Sequence, residues 1–352
     1  MKKMMVGAFI LLLIGIVGVA STLYFSKGSV FKLTEWEEKK SISSKEIKQL
    51  EINSAPVDVR IVKSTDDDIH VVLEGKESTR KKGEYKLKVD NNNGMLQINV
   101  KQKISWGIRF YSSAKLNVEL PEKVYDSIHV KTSSGDLMIN DFQAIKASFQ
   151  ASSGDVLVED GNVREELSIE ASSGEIEANN NEANNILLKT SSGDIINENA
   201  NAAKKLSIQA TSGEIEAVNN QAENISMKTT SGDIDIQKLS ALSSDFSSTS
   251  GEINIDDISG KVVTNASSGD ISIAPNEQVN DMDIETTSGE VHVKAKHSIP
   301  FAIDYKGSSG EGIISASGVT FTEKSDHLIE GKIGSGKIKL KVRTTSGDFI
   351  LR

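Results

Sequence analysis

The chain has no cysteine, four prolines and 5% aromatic residues. The first absence removes disulfides, thiol nucleophiles and thiolate metal sites. Scarce proline excludes a rigid polyproline spacer. With only 37% hydrophobic residues over 352 positions, there are too few bulky side chains for the thick core of an ordinary enzyme of this length. A thin, extended fold fits better. The formal charge of -10 is unevenly spread: residues 1–130 carry 21 Lys/Arg against 16 Asp/Glu, and residues 131–352 carry 19 against 34. The larger acidic part should repel nucleic acid and anionic surfaces, because backbone binding needs clustered basic groups.

Lys2 and Lys3 precede an uncharged stretch over residues 6–25, VGAFILLLIGIVGVASTLYF. As a helix it would span about 30 Å, the thickness of a bilayer core. The expectation is a single-pass anchor in the cell membrane, with the N-terminus cytoplasmic and everything after Lys27 extracytoplasmic. Gly18-Val19-Ala20 also fits a cleavage site, so a signal peptide ending before Ser21 is the alternative. The chain then divides into an anchor (1–26), a polar juxtamembrane stalk or short helix (27–46), a β-rich capping region (47–130), a repeat region (131–320) and an irregular C-terminal coil or cap (321–352). Trp36 lies in the stalk, suited to a packing role or to a headgroup layer. From Ile47 apolar residues alternate with polar ones, as in VDVRIV and KLNVEL, the pattern of half-buried strands. The aromatic segment SWGIRFYSS at 105–113 is either a binding edge or an apolar plug.

The dominant feature is a repeat. Ser-Gly-Asp/Glu occurs eleven times, with glycines at Gly135, Gly154, Gly174, Gly193, Gly213, Gly232, Gly251, Gly269, Gly289, Gly310 and Gly347. The intervals are 18 to 21 residues until the last, which is 37. Large aliphatics fall seven and five residues before most of these glycines, as in Leu206/Ile208, and two and four after many of them, as in Ile234/Ile236. Small residues such as Thr132, Ala171 and Thr229 fall three before. These offsets alternate within each arm and so share one face. The glycine makes one corner, and the Asn-rich remainder, as in EANNNEANN, makes a second. The expected fold is all-β: a β-solenoid of about 19–20 residues per coil, preceded by the membrane helix. An antiparallel meander with each Ser-Gly as a hairpin turn is the alternative. At the tenth unit the inner positions become Gly307 and Gly312, which implies a change of path. Lys337, Lys339, Lys341 and Arg343 would protect the terminal coil from edge pairing.

The residue after every repeat glycine is acidic: Asp136, Asp155, Glu175, Asp194, Glu214, Asp233, Glu252, Asp270, Glu290, Glu311 and Asp348. In a solenoid they form a carboxylate ladder with rungs about 4.8 Å apart. One acid per coil does not supply the six to eight oxygens that Ca²⁺ takes, so the ladder reads as an outward solvated column that holds cations diffusely, with functional binding of Ca²⁺ or a polycation as the alternative. No metal site and no cofactor is expected. GKIGSGKI at 331–338 has the glycine and lysine spacing of a phosphate loop, but Ile338 replaces the required Ser/Thr. His292 and His297 do not make a zinc motif, and His70, His129 and His327 stand apart. Asp256/Asp257 and other acids are too numerous to mark an acid/base couple, so no catalytic residue is assigned.

LEINSAPVDVRIV, KLNVELPEKVYDSIHVKTSSGDL at 115–137 and the KTSSGD/ASSGE units resemble the bacterial adhesin-like family called domain of unknown function 4097, and within it the LiaG-like envelope proteins. The resemblance covers about residues 47–352 and is strongest over 115–294. It implies a β-repeat ectodomain connected with cell-envelope stress, places the first repeat turn at Thr132-Ser133-Ser134-Gly135-Asp136, and carries no catalytic residues. The functional expectation is a non-catalytic, membrane-anchored interaction module whose partner is an envelope protein or wall component. A structural or stress-associated scaffold and a carbohydrate-active solenoid enzyme are the alternatives.

Overall fold

The computed structural model describes residues 33–78, 85–103, 113–296 and 298–352, together with Leu12, Gly15, Ile16, Val17 and Ser21. Among these residues no helix is long and apolar enough to cross a membrane. The expected N-terminal membrane helix, and the single-pass membrane placement that rested on it, are corrected accordingly. Most of residues 6–25 and the aromatic run over 104–112 lie outside the described residues.

The repeats wind as a parallel β-solenoid. Leu137 pairs with Val156, Val156 with Ile176, Ile176 with Ile195, Ile195 with Ile215 and Ile215 with Ile234, and the series continues to Val291. Every one of these ladders is parallel, which excludes the hairpin meander. The inward offsets are those of the sequence pattern. Leu206, Ile208, Ile215, Ile234 and Ile253 are fully buried, as are the small residues Thr132 and Thr190 that complete each inner column. The narrow core admits few rings. Phe149 and Phe246 are buried at the same inward position, and Phe142 meets Phe149 edge-on at 5.3 Å.

Both ends depart from sequence order. The coil carrying Gly347 is built from Ile338–Ser346 and Phe349–Leu351. It does not cap the stack but lies between the Gly289 coil and the Gly310 coil, pairing in parallel with both. The chain runs out to the Gly310 coil, turns through an antiparallel hairpin of Val319–Lys324 and Leu328–Ile333, and returns to the inner place. The N-terminal end mirrors this. Gln49–Ala55 and Asp58–Lys63 form a coil held between Met95–Gln102 and Ser113–Leu120 on its outer side and the first Ser-Gly coil on its inner side.

Antiparallel strands close the outer edges, where an unpaired parallel coil would present free N–H and C=O groups. At the N-terminal end these are Asp68–Ser78 and Tyr85–Asn92. Leu33–Ser43, expected within a stalk or short helix, is a strand paired with Asp68–Ser78. Its Trp36 stacks on Tyr85 at 6.0 Å, a packing role at the end of the rod. The basic residues near the C-terminus do not guard an edge either. Lys341 pairs with Asp283 on one neighbouring coil and Arg343 with Asp304 on the other, each at 2.8 Å. Gly307 and Gly312 make room for Tyr305, whose ring would clash with a Cβ at either place and whose hydroxyl meets Thr344 Oγ1 at 3.3 Å.

Candidate functional site

The first corner is a tight stack of glycines. An ideal Cβ on Gly213 would sit 1.9 Å from the carbonyl oxygen of Gly193, and one on Gly154 would sit 2.0 Å from that of Gly135. The requirement is close backbone approach, since nearly all these glycines lack a left-handed φ. The column runs from Val57, in the Ser54-Ala55-Pro56-Val57 corner with its cis Ala55–Pro56 bond, through Gly135 to Gly289, and then to Gly347 before Gly310. Behind it the buried hydroxyls of Thr190, Thr229 and Ser248 donate to the glycine carbonyls of the preceding coils at 3.2–3.3 Å.

The predicted acids stand together as a ladder beside this corner. All but the half-buried Asp348 are exposed, and the aspartates are bonded to the neighbouring rung. Asp155, Asp194, Asp233, Asp270 and Asp348 each use Oδ1 to accept the backbone N–H of the next acid: Glu175, Glu214, Glu252, Glu290 and Glu311, at 2.7–3.0 Å. Asp136 serves Asp155 in the same way. In space the ladder alternates Asp and Glu from Asp155 to the end. In sequence the alternation breaks, because Glu290 is followed by Glu311. Placing Asp348 between them restores it. That break is a sequence signal of the exchanged terminal coils, beside the inner glycines Gly307 and Gly312 and the 37-residue last interval.

Two glutamates of the ladder, Glu175 and Glu214, feel the neighbouring carboxylates. Glu175 is held above the usual carboxylate range by partial burial and then by the charges of Asp155, Asp194 and Glu177. Glu214 is raised by partial burial, by a hydrogen bond with Asp235, and by the charges of Asp235, Asp194 and Asp233. Their perturbing groups are like charges in the same array, not a matched base. Among the described residues no three His, Asp or Glu side chains converge as a metal cage.

The remaining candidates are dispersed. Asp256 and Asp257 do not converge, because Asp257 occupies the left-handed second corner and accepts Asn276 Nδ2 at 2.8 Å, whereas Asp256 belongs to the adjoining strand face. His292 contacts Glu290 at 2.8 Å, His70 contacts Asp66 at 2.9 Å and His327 contacts the Gly310 carbonyl at 2.8 Å. His297 lies outside the described residues. Gly331 is in a strand, and Gly334 and Gly336 make the turn to the next strand, so the 331–338 segment lacks the strand-to-helix setting of a phosphate loop.

The second corner is built from left-handed residues: Asp141, Asp160, Asn180, Asn199, Asn219, Lys238 and Asp257, with φ of 50° to 62°. Asn and Asp adopt this conformation more readily than other side-chain-bearing residues. Their side chains link coil to coil, Asn180 to Asp160 at 3.1 Å, Asn199 to Asn180 at 3.0 Å and Asn219 to Asn199 at 2.7 Å. Below them Asn181 and Asn220 are buried, each bonded to the backbone of the corner before it.

Comparison with curated proteins finds no match. Among solved structures, the chain is similar to a protein described as a putative adhesin from Bacteroides fragilis, at 15% identity and a TM-score of 0.38 over 74% of this chain and 97% of that one. A putative adhesin from Parabacteroides distasonis gives 15% identity and a TM-score of 0.43 over 75% and 97%. A protein from the same organism described as a putative lipid binding protein gives 16% and 0.40 over 74% and 96%. The family match extends across the capping region and the repeats without singling out LiaG-like members. Matching over residues 47–237 and again over 198–352, the chain belongs to the Toastrack DUF4097 family.

Proposed function

We propose that this chain is a non-catalytic interaction module that presents a stiff, periodic β surface to an envelope protein or a wall component. The observation that carries this reading is the outer register. Side chains of one kind recur coil after coil, as carboxylates beside the first corner and as amides along the second, on a rod roughly 50 Å long at about 4.8 Å per coil. Such an array binds by repetition, since weak contacts linked in one rigid body add without new contacts at any single place. The test is photocrosslinking from outer-face positions in intact cells, followed by partner identification. A reproducible partner, lost when the outer residues of one face are replaced by serine, supports the module. An unrelated rod of equal length that restores the function of a deletion strain would sink it and favour a scaffold that only sets distance.

A further inference from the structure

The second corner carries one residue out of keeping with its column. From Asp141 to Asp257 every left-handed position is Asn or Asp except Lys238, with φ 56°. Left-handed backbone is costlier for lysine than for asparagine, and the substitution interrupts the coil-to-coil chain of amides, which runs from Asp160 to Asn219 and resumes between Asp257 and Asn276. Lys238 makes no salt bridge among the described residues. The nearest acid in its column, Asp257, is engaged by Asn276. Around Lys238 lies an open groove lined by Asn199, Asn219, Gln221, Ser240 and Ser259. Its floor is rigid: buried Asn220 accepts the Ala200 N–H at 2.8 Å and Asn197 Nδ2 at 2.9 Å, and donates to the Asn197 carbonyl at 3.1 Å.

We propose that this groove binds a neutral polyhydroxylated chain, a glycan strand lying along the rod, with Lys238 as its central donor. This deepens the interaction-module reading and rests on it. A side-chain amide offers two N–H donors and two acceptor lone pairs. Asn199 spends one N–H on Asn180 and one lone pair on Asn219, which leaves one of each. Amides with both capacities free match hydroxyls, which donate and accept at the same oxygen. An anionic chain would leave the acceptors unused and would meet the field of residues 131–352, where 34 acids face 19 bases. A cationic chain would meet Lys238. An extended peptide would need pockets for apolar side chains, and the apolar residues of this wall, Ala200 and Leu239, are buried. Equivalent polar groups recur with each coil at about 4.8 Å, so a polymer engages several rungs where a single sugar engages one.

The experiment is a titration of the full chain followed through its side-chain amide NMR signals, with cellohexaose and chitohexaose as neutral probes and hexagalacturonate as the anionic control. Shifts at Asn199, Asn219 and Gln221 are expected with a neutral probe, and Gln221→Ala should weaken binding about fivefold, the effect of one hydrogen bond. Lys238→Asn is the decisive variant. It suits the left-handed backbone and should melt no lower than the parent, so weaker binding cannot be ascribed to misfolding. The proposal is overturned by unmoved amide signals at millimolar concentrations of both neutral probes, by unchanged affinity in Lys238→Asn, or by preference for hexagalacturonate. A crosslinked partner mapped elsewhere on the rod, with no glycan binding here, would sink this site and leave the interaction module standing.

Discussion

Replacing Gly213 by alanine tests the tightest feature of the rod. The added Cβ would lie 1.9 Å from the Gly193 carbonyl oxygen, whereas real Cβ contacts essentially never fall below 3.0 Å, so the rungs have to part by about 1.1 Å. Three hydrogen bonds fasten this corner to the Gly193 coil: Ser212 N–H to Ser191 O at 3.0 Å, Glu214 N–H to Asp194 Oδ1 at 2.9 Å and Ile195 N–H to Glu214 O at 2.9 Å. Stretching them by that amount takes them beyond bonding distance. At roughly 1 kcal/mol each the loss is about 3 kcal/mol, at the upper end of what overpacking usually costs. Urea unfolding followed by circular dichroism should show a lower midpoint for Gly213→Ala. Ser212→Ala, which alters only an exposed hydroxyl at the same corner, should stay within about 0.5 kcal/mol of the parent. If Gly213→Ala unfolded within that same margin, close approach would not be why glycine occupies the column.

Truncating the buried Ile225 to alanine should cost about 2–5 kcal/mol through lost burial and a residual cavity; Asp233→Asn should be near neutral because its Oδ1 can still accept the Glu252 N–H, held at 2.7 Å, while Asp233→Ala should lose about 1 kcal/mol, all read by urea midpoints. Glu175 and Glu214 hold their protons more tightly in the folded state. Their contribution to stability is therefore fully present below the ordinary glutamate range and is lost as pH rises through their raised folded values. Calorimetric melting should accordingly show Glu214→Gln above the parent at neutral pH, with the gap closing in acid. Asp304 behaves oppositely: its bond to Arg343 holds it below the usual range, so Asp304→Asn should melt lower at neutral pH and converge with the parent as pH falls through that depressed value. Isothermal titration at physiological ionic strength should detect no stoichiometric, tight Ca²⁺ site; saturable submicromolar binding abolished by neutralising Asp194, Glu214 and Asp233 together would overturn the account of the ladder.

The repeat made the coil legible. A glycine every 18 to 21 residues with aliphatics at fixed offsets determines which side chains face inward, because strand alternation is a local rule that every coil obeys. The same offsets placed the eleven acids in one outer column, and the Asn-rich segments announced a left-handed corner, since both depend on backbone geometry within a few residues. What the local pattern could not decide was the order of the coils at the ends. Whether the Gly347 coil follows or precedes the Gly310 coil depends on which edge is free to pair, and that is settled by contacts between segments far apart in sequence, such as Met282 with Leu340. Lys341 and Arg343 look like edge protection in sequence, and only the inserted position supplies Asp283 and Asp304 on either side of them. Leu33–Ser43 reads as a charged stalk because a strand at the end of the rod buries little of its own surface, and its place is fixed by pairing with Asp68–Ser78. Periodicity thus determined the cross-section of this protein, and long-range strand pairing alone decided how the two ends of the rod are closed.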